Sequence, residues 1–191
     1  LDLSPVMTSQ ALGFIEANLG RFRSELYDFL RIPSVSAKSD HAEDTRHAAE
    51  WLSERLNEAG LSSKLLETSG HPVVLGEWRG APGAPTVLIY GHYDVQPPEP
   101  LDEWTSPPFE PTERDGRMYA RGSADDKGQL YMHVKALEAK LAQGGSLPVN
   151  VVVLAEGEEE VGSPNLLPFV EKHTDLLSCD LVLVSDTGMF A

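Results

Sequence analysis

The sequence predicts an α/β fold: a mostly parallel, mixed sheet covered by helices. Three observations carry that expectation. Long segments such as residues 8–31 and 127–142 hold apolar residues at spacings of three and four, the stripe of a helix with one buried face. Short apolar runs at residues 73–78, 86–90, 149–154 and 181–184 alternate with them. Those runs show little polar alternation, so they read as strands covered on both faces, the habit of parallel sheets.

In chain order, residues 8–31 place Leu12, Ile15, Leu19, Phe22, Leu26, Phe29 and Leu30 on one stripe, and Ile32-Pro33-Ser34 ends it. A second helix, over residues 41–59, carries Ala48, Trp51, Leu52, Leu56 and Ala59, with Gly60 as its cap. Residues 73–78 and 86–90 follow as strands separated by the turn sequence GAPGAP. Residues 97–116, rich in Pro, Glu and Asp, read as a long loop, and residues 118–120 as a short strand. The helix over 127–142 presents Leu130, Val134, Leu137 and Leu141. Residues 149–154 and 181–184 are expected as two more buried strands, with a helix over 164–173 between them.

Composition narrows the function. The chain has 191 residues, 41% of them hydrophobic and 24% charged, which suits a globular protein with a sizeable core. Its formal net charge of -15 repels nucleic acid and anionic membrane surfaces, so neither is expected as a partner. The one cysteine, Cys179, supports no internal disulfide and reads as a small buried residue. A reducing cytoplasm is the expected compartment. There is no apolar run of membrane-spanning length, and LDLSPVMTSQ lacks the basic start and apolar core of a signal peptide. Met7 is a candidate natural start, with residues 1–6 ahead of it.

In open α/β sheets, functional groups gather beyond the carboxyl ends of the strands. His92 and Asp94 follow the run TVLIY; Glu156, Glu158, Glu159 and Glu160 follow VNVVVL; Asp186 follows LVLV. Asp125 and Asp126 stand immediately before a helix. Singly, each has an ordinary explanation: a core histidine, a helix N-cap, a solvated charge run, a strand-end carboxylate. Together they form a ligand set for a divalent metal such as zinc, with manganese or cobalt also suited. Carboxylates outnumber histidines, which suggests more than one cation, because anionic neighbours offset cation repulsion. Asp94, two residues after His92, points to the same side in an extended segment and can orient the ring. His41, His47, His71, His133 and His173 read as structural or surface residues.

GHYDVQP at 91–97, RGSADDKG at 121–128, EGEEEVGS at 156–163, Ser185-Asp186, and the W-x-x-x-P-F and ERDGRMYARG segments resemble the aminoacylase–carboxypeptidase–carnosinase family of co-catalytic zinc peptidases. The likeness runs from about residue 12 to 191, and the VQP ending of the first motif is similar to the dipeptidase branch. The resemblance implies a hydrolase that cleaves dipeptides or short peptides through a metal-bridging water and a glutamate general base. It implies two divalent ions, zinc first among them. His92 and Asp186 would bind one ion, Asp125 would bridge both, and Glu160 would bind the second. Asp94 would orient His92, Glu159 would be the base, and the Asp125–Asp126 peptide would be cis.

The family also places a further histidine ligand and a lid domain, which supplies the dimer interface, beyond the segment that ends here. Residues 1–191 are therefore expected to be the N-terminal portion of the catalytic domain, with the rest of that domain and the lid absent and an apolar sheet edge left open. The full-length protein is expected to be a homodimer through that lid. Two alternatives remain: an N-acyl amino acid deacylase, desuccinylase or carboxypeptidase of the same family, or a non-catalytic acidic module that binds a metal. A glycosidase fits less well, since adjacent glutamates do not flank a sugar bond and His92 would be idle.

Overall fold

The computed structural model describes residues 5–188, so the residues ahead of Met7 fall partly outside the described residues. In chain order the elements are α1 (Pro5–Arg31), α2 (Ala42–Glu58), β1 (Ser62–Leu66), β2 (Val73–Trp78), β3 (Thr86–His92), β4 (Thr112–Arg114), β5 (Arg117–Tyr119), α3 (Lys127–Gly144), β6 (Asn150–Glu156), α4 (Leu166–Lys172), α5 (Thr174–Leu177) and β7 (Leu181–Val184). No helix among the described residues is long and apolar enough to cross a membrane.

The main sheet is mixed, in the order β1-β2-β6-β3-β7. Strands β6, β3 and β7 run parallel, while β1 and β2 pair antiparallel to each other and β2 antiparallel to β6. Strand β6 is central and its Val151–Glu156 stretch is buried, which explains its continuous apolar run. One face packs on α1, α2 and α3 through a core that includes Phe29, Leu52, Leu56, Val74, Ile89, Leu130, Val134 and Val153. The opposite face packs on Phe169 of α4 and Leu177 of α5 through Val73, Leu75, Leu88, Val152 and Leu154. Half-buried Cys179 packs against this second core.

Three features differ from the sequence reading. Strand β1 was not expected, because SSKLL opens on three polar residues and lies at an edge, without a continuous apolar run. Part of the expected loop over 97–116 pairs instead as the β4–β5 hairpin, turned by Asp115 and Gly116 at φ 51° and 74°, the left-handed pair of a tight hairpin. Strand β7 is not buried as expected: Leu181 to Val184 are 40% to 59% exposed. It is an edge strand that pairs only with β3 among the described residues, so its apolar side chains lack cover on either face.

One buried contact ties the end of α1 to the first residue of α3. Lys127 Nζ donates to the carbonyls of Phe29 (3.0 Å) and Ile32 (2.6 Å). Both carbonyls lie where α1 ends, and each also accepts a backbone N–H, from Ile32 and Ser34 respectively, so the ammonium adds a second bond to each. Burial lowers Lys127 to about 7, against the pull of Asp94 and Asp44.

Candidate functional site

Parallel pairing brings the carboxyl ends of β6, β3 and β7 to one edge of the sheet. His92 ends β3 directly opposite Glu156 at the end of β6, and Tyr90 lies opposite Val184 at the end of β7. The chain leaving each strand therefore delivers its polar residues to a common place, as the rule for open sheets requires.

His92 and Asp94 are fully buried. The imidazole Nδ1 lies 3.1 Å from the Asp94 carbonyl and 3.3 Å from Asp94 Oδ1. That leaves Nε2 facing Asp125 Oδ1 at 3.1 Å, Asp186 Oδ2 at 3.7 Å and Glu159 Oε2 at 3.9 Å. Burial opposes charge on the ring, but Asp94, with Asp126 and Glu159 behind it, outweighs burial and pushes His92 up to about 10.

Asp94 does more than face the ring. Its Oδ1 accepts the backbone N–H of Glu159 (3.2 Å), and Oδ2 accepts that of Glu160 (3.1 Å) and the Ser36 hydroxyl (2.6 Å). The glutamate run is thus no solvated charge run: it is a short 3-10 turn, Glu159–Val161, pinned at its start. Gly157 lets the chain enter that turn across the Tyr93 ring, which a Cβ would meet at 2.4 Å. Gln96 Nε2 donates to Glu160 Oε2 at 2.7 Å, and burial raises the Glu160 carboxyl above its ordinary range.

The Asp125–Asp126 peptide is cis. Asp126 stands at the N-cap position of α3 but makes no capping hydrogen bond, so capping does not account for it. Its Oδ2 instead accepts the His92 backbone N–H at 3.1 Å, while Oδ1 is buried without a partner. The approach is close enough that a Cβ at Gly91 would lie 2.6 Å from Asp126 Oδ2. Burial pushes Asp126 up to about 7.

The six residues given roles by the family resemblance (His92, Asp94, Asp125, Glu159, Glu160 and Asp186) converge here. One donor atom each from His92, Glu159 and Asp186 lie within 4.8 Å of one another, and so do those from His92, Asp125 and Glu160. One imidazole with several carboxylates is the donor chemistry of a zinc or manganese site. Of the other histidines, His41 pairs with Asp44 at 2.7 Å and His173 packs on the Phe169 ring, while His133 on α3 meets the hydroxyl of Ser185, next to Asp186. Sequence reasoning missed Ser36, Gln96 and Ser163 around the cluster. Ser36 lies 58 residues from its partner and carries no local signal, whereas Gln96 and Ser163 stand inside motifs already singled out.

Comparison with known proteins follows the same lines. The profile of "Peptidase family M20/M25/M40" matches residues 88–190. A cysteinylglycine-S-conjugate dipeptidase from Corynebacterium striatum is 34% identical over 181 residues, 91% of this chain and 38% of that protein. The crystal structure of human carnosine dipeptidase 1 superposes with a TM-score of 0.90 at 30% identity, over 96% of this chain and 42% of that one. A metallo-carboxypeptidase from Sulfolobus solfataricus gives 0.80 at 40% identity, over 88% and 38%. The chain thus spans about two fifths of the length of these relatives.

Proposed function

The chain belongs to peptidase family M20/M25/M40, which is metal-dependent, and from that premise we propose that the whole protein is a metallohydrolase cleaving dipeptides or short peptides. The observation that carries this reading is the double grip of Asp94, which faces the His92 ring and fixes the backbone of Glu159 and Glu160 in one arrangement. A binding module needs ligands; it does not need a second, half-exposed glutamate held beside them.

The residues fit two divalent ions, zinc first, with manganese or cobalt also suited. His92 Nε2 and Asp186 would hold one ion, Asp125 would bridge, and Glu160 would hold the other. When bound, the ions polarise the substrate carbonyl and make water acidic enough to attack near neutral pH. Asp94 keeps the proton on His92 Nδ1, so that Nε2 offers its lone pair; a ring poised at about 10 must give up a proton to bind. Glu159, whose side chain is 36% exposed, takes the proton of the attacking water and passes it to the leaving amine. Glu160 is turned away from that task by its bond to Gln96.

By this reading residues 1–191 form the N-terminal portion of the catalytic domain, and the whole protein would be a homodimer through a lid domain. The exposed apolar edge at β7 supports further cover from elsewhere. A lone half-buried cysteine suits the reducing cytoplasm. The likeness to the Sulfolobus enzyme supports a second reading, a carboxypeptidase of the same family. Turnover of the whole protein on dipeptides, longer peptides, and N-acetyl and N-succinyl amino acids separates these. Preference for dipeptides is expected; hydrolysis of acyl amino acids alone would overturn the peptidase assignment.

A further inference from the structure

We propose that Glu156 is a positioning residue that clips the 157–163 loop to the sheet and thereby sets where Glu159 and Glu160 stand. The inference rests on the reading of those two glutamates as base and ligand.

Glu156 ends β6 directly beside His92 and is only 3% exposed. Its backbone carbonyl accepts the Tyr93 N–H at 2.9 Å, which fixes the strand end. Its Oε1 accepts two hydroxyls, from Tyr90 at 2.6 Å and from Ser163 at 2.8 Å. A buried carboxylate is costly unless it is well bonded, and here its donors are neutral hydroxyls rather than an ammonium or guanidinium. Tyr90 belongs to β3, two residues before His92, so one end of the clip is rigid. Ser163 belongs to the far end of the glutamate loop, so the other end is the thing held.

The loop between these ends is closed on itself. Val161 N–H and Ser163 N–H both donate to the Glu158 carbonyl, at 3.2 and 2.8 Å, and Gly162 and Ser163 take φ values of 87° and 50°. A serine at positive φ is uncommon, and its side chain being held by a buried acceptor supplies a reason for it. Asp94 pins the middle of the loop and Glu156 pins its return. The two anchors differ in reach. Asp94 also faces the His92 ring, whereas among the described residues the Glu156 carboxylate bonds only Tyr90 and Ser163, so it acts on the loop through the hydroxyl it holds.

The test uses Ser163→Ala and Glu156→Met in the whole protein, with Glu156→Gln as the conservative variant, since an amide oxygen still accepts both hydroxyls. Backbone amide exchange is read first, because it needs neither metal nor substrate. The Glu159 and Glu160 amides are expected to exchange about tenfold faster in Ser163→Ala and Glu156→Met, with β3 and β6 unchanged, and to return toward the parent rate in Glu156→Gln. In parallel, kcat on dipeptide or zinc affinity is expected to fall about ten- to a hundredfold with little change in KM, again rescued by Glu156→Gln. Unchanged exchange in the loop overturns the inference, and so does a uniform rise across the sheet, which would mark a purely structural role. If the parent protein hydrolyses no peptide, the proposed function fails, while the exchange rates still decide whether Glu156 holds the loop.

Discussion

Asp94 Oδ1 accepts the backbone N–H of Glu159 at 3.2 Å while standing 3.3 Å from His92 Nδ1. One oxygen therefore sets both the ring that would hold a metal and the loop that would carry the base. Their relative placement does not depend on solvent, because His92 and Asp94 are both fully buried.

Asp94→Ala is expected to disturb both halves together. It deletes acceptors for Ser36, Glu159 and Glu160, at about 0.5–1.5 kcal/mol net for each bond. Urea unfolding should show a loss of about 2–3 kcal/mol, and metal content should drop as well. Full metal content with unchanged stability would contradict the coupling.

His92→Ala removes the residue common to both candidate ligand groups. Elemental mass spectrometry should find bound zinc or manganese in the parent and a clear loss in the variant. A chelator should lower the parent's melting temperature and barely affect the variant, because only the parent has a metal to lose.

Glu159→Gln separates holding a metal from using it. The amide keeps the size of the side chain and leaves the backbone bond to Asp94 in place. Turnover of the whole protein is expected to fall about 10²- to 10⁴-fold, the usual span for a general base, with metal content retained. Full turnover in this variant would remove Glu159 from the chemistry.

The acid limit of stability is predicted away from the site. Glu25 on α1 meets Lys135 of α3 at 2.6 Å and the Tyr131 hydroxyl at 2.7 Å. Burial raises its pKa, but Lys135, Tyr131 and Arg21 outweigh burial and hold the carboxyl below its ordinary range. A depressed carboxyl stabilises the fold fully above the unfolded value of about 4.3 and loses that contribution as pH falls through the folded value. Melting temperature should therefore fall more steeply below about pH 4.3 in the parent than in Glu25→Gln. Parallel curves would show that the α1–α3 ion pairs carry no acid sensitivity.

The sequence was most informative where periodicity and position coincide. A five-residue run, TVLIY, followed by Gly91-His92 announces a covered strand and what stands at its mouth. The clustering of His92, Asp125, Glu159, Glu160 and Asp186 was legible because parallel strands end on one side. The burial of β7 was misjudged because apolar composition says how a strand would like to be covered, not whether a neighbour is there. Strand β1 escaped because its polar start, Ser62-Ser63-Lys64, at an edge resembles a loop. The bond from Ser36 to Asp94 was beyond reach, since a serine hydroxyl after a helix points to no distant partner. Capping was the ordinary explanation for Asp126, and only its bond to the His92 N–H shows another use.

The cluster draws on residues 92, 94, 125, 159, 160 and 186, brought together only when three parallel strands have met in register. Parallel pairing needs long crossovers and is among the slower steps of folding. A nascent chain can gather His92, Asp125, Glu159 and Glu160 once β6 has paired with β3, and the set is completed only when Asp186 has been made and β7 has docked. Completion of the candidate ligand set is thus timed by the chain's own topology, with Asp186 the last member to arrive.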